Sequence, residues 1–269
     1  MHSKQAIQRN FARRALSYDR YAVMQQGMAA ELLRLAREAV AGARLVLEIG
    51  CGTGYLTARL RQANPDATIV AVDLEASLLR LARERLGGDK GVHFLAADGE
   101  AFAGGPFDLI ISNSVLQWFS RPQETLRAYF DLLRDGGTLA FSTLGPATFR
   151  ELSAAFRQAA GRQTLAESPE VVAHSFSNEQ TWRHYLDQAG FQRVIVLREE
   201  RIERHSTVQD FLHALQATGA TNPYPRPFSP RLFRQMAAIY QGAFGLDGAI
   251  PVTYEIIWAL ARKEIFRSA

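Results

Sequence analysis

Short, strongly apolar runs rich in β-branched residues alternate with stretches of helical period from residue 45 to residue 143. The apolar runs predict strands at Leu45–Ile49, Thr68–Asp73, Val92–Ala96, Phe107–Ser112 and Gly137–Thr143, and the stretches between them predict helices at Tyr55–Arg61, Ala76–Leu86 and Gln123–Leu133. Strand and helix in steady succession imply parallel strands joined by crossovers, the plan of a doubly wound α/β sheet. In such sheets ligands bind beyond the carboxyl ends of the strands.

The flanks follow other patterns. Residues 1–40 read as helical, with Ile7, Phe11, Ala15 and Tyr18 on one face and a second amphipathic stretch from Met24 to Ala39, and they are expected to fold over the core as a cover. After Thr143, Pro146 is expected to open a helix that runs to about Ala160. A polar connection with Glu167, Ser168 and Pro169 follows, then a helix capped by Ser177 or Asn178 and ending near Gly190. Phe191–Glu203 and Val252–Ala261 read as sixth and seventh strands, the last suited to antiparallel pairing. Between them, residues 207–248 form two helical segments around the proline-rich loop Asn222–Pro227, an insertion placed to shape a substrate site. The chain is thus expected to be one domain: a cover at 1–40, a cofactor-binding core at 41–145 and a helical insertion at 207–248.

Composition narrows the function. With 269 residues and 47% hydrophobic content, the chain can bury a sizeable core. No apolar run approaches the ~18 residues of a membrane span and no signal stretch is evident, so a cytoplasmic, monomeric protein without membrane contact is expected. The single cysteine, Cys51, cannot form an internal disulfide, and the six histidines show no metal-ligand spacing, so no metal is expected. The net charge of +4 is carried almost wholly by arginine, without the interleaved aromatics that stack bases, which argues against nucleic acid. Basic residues concentrate at Arg9, Arg13, Arg14 and Arg20, and at Arg198, Arg201 and Arg204. Each group is either a solvated face or a site for an acidic protein.

The chemistry lies in the first strand and its turn, Glu48-Ile49-Gly50-Cys51-Gly52-Thr53-Gly54. Glycine lets the backbone turn sharply and approach a ligand closely, which marks a nucleoside-bearing cofactor. The dinucleotide fingerprint requires a third glycine at position 55, where this chain has Tyr55. Glu48 at the strand end would attract an ammonium or sulfonium and repel a pyrophosphate. Asp73 ends the second strand about twenty residues on, where a ribose diol is held in such folds.

The E-x-G-x-G-x-G loop resembles motif I of the class I S-adenosylmethionine-dependent methyltransferases. That resemblance implies a seven-stranded Rossmann-like sheet and a cofactor site of Glu48, Gly50, Gly52, Gly54, Asp73, Leu74, Asp98, Gly99 and Asn113, with Asp98 at the adenine amino group. Three further stretches, Phe11–Ala22, Ser112–Phe119 and Ser142–Leu152, together with Leu215–Thr221 of the insertion, resemble the malonyl-acyl-carrier-protein O-methyltransferases of biotin synthesis over nearly the whole chain. The S-N-x-x-x-Q-W segment is shared with other small-acid methyltransferases such as trans-aconitate methyltransferase, so a different carboxylate acceptor stays open, as does a cofactor-binding assembly factor without this activity. The family implies methylation of the free carboxylate of a malonyl thioester, on an acidic acyl carrier protein or on coenzyme A. A carboxylate with a pKa near ~4 is already ionised at pH 7, so no general base is required. Arg150 is expected to anchor that carboxylate by bidentate pairing, with Tyr18 and Tyr21 donating hydrogen bonds and Trp118 walling the pocket.

Overall fold

The computed structural model describes residues 4–161, 171–219 and 229–264. Seven strands, β1 (Leu45–Ile49), β2 (Thr68–Asp73), β3 (Val92–Ala96), β4 (Phe107–Asn113), β5 (Leu133–Leu144), β6 (Gln192–His205) and β7 (Ile250–Arg262), form one sheet in the order β3-β2-β1-β4-β5-β7-β6. The first five are mutually parallel, and β7 runs antiparallel between β5 and β6. This is a doubly wound sheet, as the pattern predicts, in the seven-stranded Rossmann-like form that the resemblance implies, and the order reverses beside β1, where such sheets bind ligands.

Four helices precede the sheet: α1 (Lys4–Ala12), α2 (Ala15–Tyr21), α3 (Val23–Leu35) and α4 (Arg37–Gly42). Helices α5 (Tyr55–Ala63), α6 (Ala76–Leu86) and α7 (Pro122–Leu132) are the crossovers, α8 (Arg150–Ala160) and α9 (Glu179–Ala189) follow β5, and α10 (Val208–Ala217) and α11 (Pro230–Phe244) lie in the insertion. Two apolar layers sandwich the sheet. One joins Met28, Leu32, Leu60 and Ile69 to Trp258 and Tyr240, the other joins Leu47, Ile110 and Phe141 to Trp182 and Leu186. The caps obey local chemistry. Asn178 accepts from the Thr181 amide at 2.8 Å, and Gly190 closes α9 in the left-handed conformation.

Two elements start four residues away from expectation. Strand β5 begins at Leu133 rather than Gly137, because Leu133 pairs with Phe107 before the register shifts and resumes at Leu109 and Thr138. Helix α8 begins at Arg150 rather than Pro146. The intervening turn is held by β7 instead: the Gly145 amide donates to Glu255 O at 2.8 Å and the Phe149 amide to Thr253 O at 2.7 Å. Glu167 to Pro169 and the loop Asn222–Pro227 lie outside the described residues.

Candidate cofactor and acceptor site

The turn after β1 is built on three left-handed glycines, with φ of 71° at Gly50, 55° at Gly52 and 79° at Gly54. The Gly50 and Cys51 amides donate to Val72 O at 2.7 and 3.0 Å, tying the turn to β2. A Cβ on Gly54 would lie 3.0 Å from Ala82 Cβ on α6, so this glycine also sets the approach of two helices. Gly52 faces open space. Its left-handed backbone leaves one edge of the turn bare toward a cavity of about 140 Å³.

That cavity lies over the carboxyl ends of β1, β2 and β4, and its walls include Gly50, Asp73, Leu74, Asp98, Gly99 and Asn113. Asp73 accepts from the Gly52 amide and the Glu75 amide, one on each oxygen, both at 2.8 Å. Burial raises its pKa to about 6 against these two hydrogen bonds. Asp98 accepts from the Glu100 amide at 3.0 Å. Asn113 is fixed at both ends of its amide, accepting from Ser142 Oγ at 2.6 Å and donating to Gln25 O at 3.1 Å.

A smaller recess beside the turn is walled by Glu48, Tyr18, Gln25, Thr53 and Asn113 among others. Glu48 is buried, and neither of its carboxylate oxygens has a hydrogen-bond partner. Burial raises its pKa to about 8, opposed by the neighbouring Thr57 hydroxyl and reinforced by the charge of Asp73. An orphaned acid in the interior is costly unless a cation or donor comes to it. The donor set therefore fits S-adenosylmethionine: Glu48 would meet the amino-acid ammonium, Asp73 the ribose hydroxyls, and the bare edge at Gly52 would admit the ligand against backbone. Cys51, in the same turn, is buried and its thiol is pushed well above its usual pKa by that burial, so it is a space-filling side chain and not a nucleophile.

Trp118 stands between this cavity and an apolar recess walled by Tyr21, Phe149, Phe176, Leu215 and Tyr254, since its ring lines both. It is held edge-on by Phe176 at 5.7 Å and Phe11 at 6.4 Å. Tyr18 lines both cofactor cavities. Its hydroxyl is held above the usual tyrosine pKa, first by burial and then by Asp73 and Asp19, so it remains a donor. Tyr21 is 40% exposed at the recess. Arg150 is not brought to either cavity. Because α8 starts at Arg150 itself, Phe149 turns into the recess while the guanidinium pairs with Glu200 of β6 at 2.7 Å and Glu151 at 3.4 Å. The expected carboxylate anchor is thus engaged on the sheet side.

Several participants escape the sequence pattern. Lys4 Nζ lies 2.5 Å from Asp98 Oδ2 and 2.6 Å from Glu100 Oε2, and Gln8 donates to Leu74 O at 3.0 Å, so α1 closes the cofactor cavity. Asp19 accepts from Thr53 Oγ1 at 2.6 Å and pairs with Arg85, which locks α2 to the glycine turn. Ser17 Oγ donates to Ala217 O at 3.1 Å, joining the cover to the insertion. These pairs are 34 to 200 residues apart, and no local periodicity encodes them. Among the described residues no group of His, Cys, Asp and Glu side chains is arranged to hold a metal ion, and no helix is long and apolar enough to cross a membrane.

Comparison with known proteins agrees with this geometry. A methyltransferase-domain family model matches residues 47–139. The YcgJ protein of Bacillus subtilis, 15% identical, superposes with a TM-score of 0.60 over 88% of this chain and 99% of its own, which shows the shared fold. The malonyl-[acyl-carrier protein] O-methyltransferase of Halalkalibacterium halodurans is 34% identical over 96% of this chain and 98% of its own length. That of Paenibacillus sp. (strain JDR-2) is 35% identical over 96% and 97%. A chain that keeps such identity from end to end, with the glycine turn and its two acids in place, belongs to the malonyl-[acyl-carrier protein] O-methyltransferase family.

Proposed function

We propose that this protein transfers a methyl group from S-adenosylmethionine to the free carboxylate of a malonyl thioester carried by an acyl carrier protein, in biotin synthesis. The observation that carries the reading is the junction at Trp118, where a cavity lined by Asp73 and Asp98 meets an apolar recess walled by the N-terminal cover and the insertion. When bound, the cofactor supplies an electrophilic methyl on a cationic sulfur. Held by Glu48 and Asp73, it would give that methyl to the acceptor oxygen, with the electron pair of the broken carbon–sulfur bond remaining on sulfur. No proton moves, which accounts for a site without a catalytic dyad.

The chain's work is placement and exclusion of water. The recess is apolar apart from Gln25, Thr218, Glu203 and its tyrosine hydroxyls, and Glu203 disfavours a second anion there. The ionised end of the acceptor therefore lies toward Tyr18 and Trp118, and the thioester arm fills the recess past Tyr21. Tyr18, kept protonated by burial, donates to the carboxylate, and Tyr21 supplies a second donor from the rim. Esterification masks the charge and leaves a group that an apolar fatty-acid-elongation site can accept.

The direct test is transfer of labelled methyl from S-adenosylmethionine to malonyl-carrier protein, with the methyl ester identified as product. Transfer to trans-aconitate or another small acid instead of malonyl thioesters would replace the substrate assignment. Tyr18→Phe is expected to raise the acceptor KM about tenfold, the worth of one hydrogen bond to a charged group, while leaving affinity for S-adenosylhomocysteine within twofold. An unchanged acceptor KM would remove Tyr18 from this role.

A further inference from the structure

The two arginine-rich groups of the sequence meet different fates in the fold. Arg198 pairs with Glu255 and, at 2.7 Å, with Glu200, while Arg201 pairs with Glu199 at 2.9 Å. The charge of these two is neutralised within the sheet edge, which leaves Arg204 as the one exposed member of its group with no carboxylate within ion-pair distance among the described residues. On the N-terminal cover, Arg9, Arg13, Arg14 and Arg20 are exposed, and no carboxylate among the described residues lies within ion-pair distance of them. The single acid of α1 and α2 is Asp19, and its charge is taken up by Arg85 and the Thr53 hydroxyl. Lys4, the other cation of this segment, is likewise occupied by Asp98 and Glu100. What remains facing solvent on the cover is a four-arginine surface with its counter-charge removed.

The position of this surface is as informative as its charge. The same two helices wall both cavities, through Phe11 and Tyr18 at the cofactor and Tyr21 at the apolar recess. Arg20 stacks over Tyr21 at 5.7 Å, beside the recess that the thioester arm would occupy. The cover is also bonded to the insertion through Ser17 and Ala217, so a macromolecule seated on it would have the recess directly beneath. Unpaired arginines in this place cost solubility nothing and act as a steering field for an acidic surface, strongest at low salt.

We propose that the outer face of α1 and α2 is the docking surface for the acidic carrier domain that presents the malonyl thioester, with Arg9, Arg13, Arg14 and Arg20 meeting its carboxylates while the prosthetic arm enters beside Tyr21. This rests on the malonyl-thioester reading above. The face does not touch the reacting atoms; it sets encounter and orientation, and so acts on the carrier-bound substrate alone.

The experiment compares malonyl-carrier protein with a malonyl-pantetheine thioester for the wild type, for Arg13→Glu/Arg14→Glu, and for Arg37→Glu. Arg37 is 78% exposed on α4, near Asp108 at the amino end of β4. The double variant is expected to lose ten- to a hundredfold in kcat/KM on the carrier at low ionic strength, with the gap closing as salt is added. The small thioester should be methylated within twofold of wild type, with unchanged affinity for S-adenosylhomocysteine, and Arg37→Glu should leave both substrates unaffected. Equal loss on both substrates, no loss on the carrier, or the same loss from Arg37→Glu would overturn the docking surface while leaving the catalytic reading intact. Failure of the wild type to methylate either thioester would overturn that reading and the docking surface with it.

Discussion

Replacing Glu48 by Gln is expected to weaken S-adenosylmethionine binding about a hundredfold and to abolish a proton release that accompanies binding in the wild type. The buried carboxyl of Glu48 has no hydrogen-bond partner, and burial raises its pKa to about 8. At pH 7 the free protein therefore holds Glu48 mostly protonated. An ammonium placed against it favours the ionised form and draws its pKa below 7, so binding expels close to one proton. A charge-assisted contact in the interior is worth roughly 2–3 kcal/mol, which converts to the stated loss. Affinity should accordingly rise with pH between about 6 and 8, with Asp73, raised to about 6, adding to the lower part of that window. The two acids share one site, so the observed values belong to the pair. Calorimetry in buffers of different ionisation enthalpy reads the proton directly, and an absence of release at pH 7 would remove Glu48 from the cofactor contact.

The same residue has an opposite effect on the protein without its cofactor. An acid whose pKa is raised on folding contributes stability that is present below its unfolded value near ~4.5 and is lost as pH rises through about 8. The cofactor-free wild type should thus melt at a lower temperature at pH 8 than at pH 5.5 by this contribution, and Glu48→Gln should melt higher than wild type at pH 8. Stability is surrendered at a site where function needs an unpaired carboxyl.

How much of this was legible beforehand depended on the range of the forces involved. Strands β2 and β3 and helix α6 coincide with their sequence-predicted bounds, because each is set by local signals: β-branched runs, helical period, and Gly87 closing α6 in the left-handed conformation. Gly50, Gly52 and Asp73 were readable from the strand ends and the turn, whereas Asp98, Gly99 and Asn113 were expected from the family resemblance; the fold brings all six to the wall of one cavity. Arg150 was misplaced because the start of α8 is decided by β7, which lies a hundred residues away in the chain. The Ala147 amide donates to Glu255 Oε2 at 2.7 Å, and Thr148 exchanges hydrogen bonds with the Glu255 backbone. Proline at 146 signals a helix start, but a tertiary turn overrides it and rotates the arginine away from the recess. Lys4 and Asp19 were invisible in the same way, since a lone charge on an amphipathic helix reads as solvated until its partner is known.

Gly50→Ala is expected to reduce cofactor affinity by about a hundredfold, and Val115→Ala in the same chain is expected to restore roughly a tenth of that affinity from the hundredth that remains. Gly50 sits at φ 71°, where a side chain costs roughly 1–2 kcal/mol. Its added Cβ would also collide with Val115 Cγ2 and come within 3.1 Å of Cγ1 and 3.2 Å of Cβ. Val115 is held in the segment after β4, where the Gln117 side-chain amide donates to Ser114 O at 3.0 Å and accepts from Thr143 Oγ1 at 2.9 Å. That segment cannot easily yield, so the turn must move toward the cofactor. Removing both γ carbons of Val115 eliminates the collision but leaves the tight Cβ contact and the backbone strain, hence recovery in part. Gly52→Ala is the contrast. No protein atom lies within 4 Å of its added Cβ, so its loss of affinity arises from strain at φ 55° and from a methyl facing the ligand. Val115→Ala should leave that loss untouched, and coupling between positions 50 and 115 should appear in a double-mutant cycle of S-adenosylhomocysteine affinities while none appears between 52 and 115. Equal rescue of both glycine variants, or of neither, would show that Val115 does not set the position of the turn.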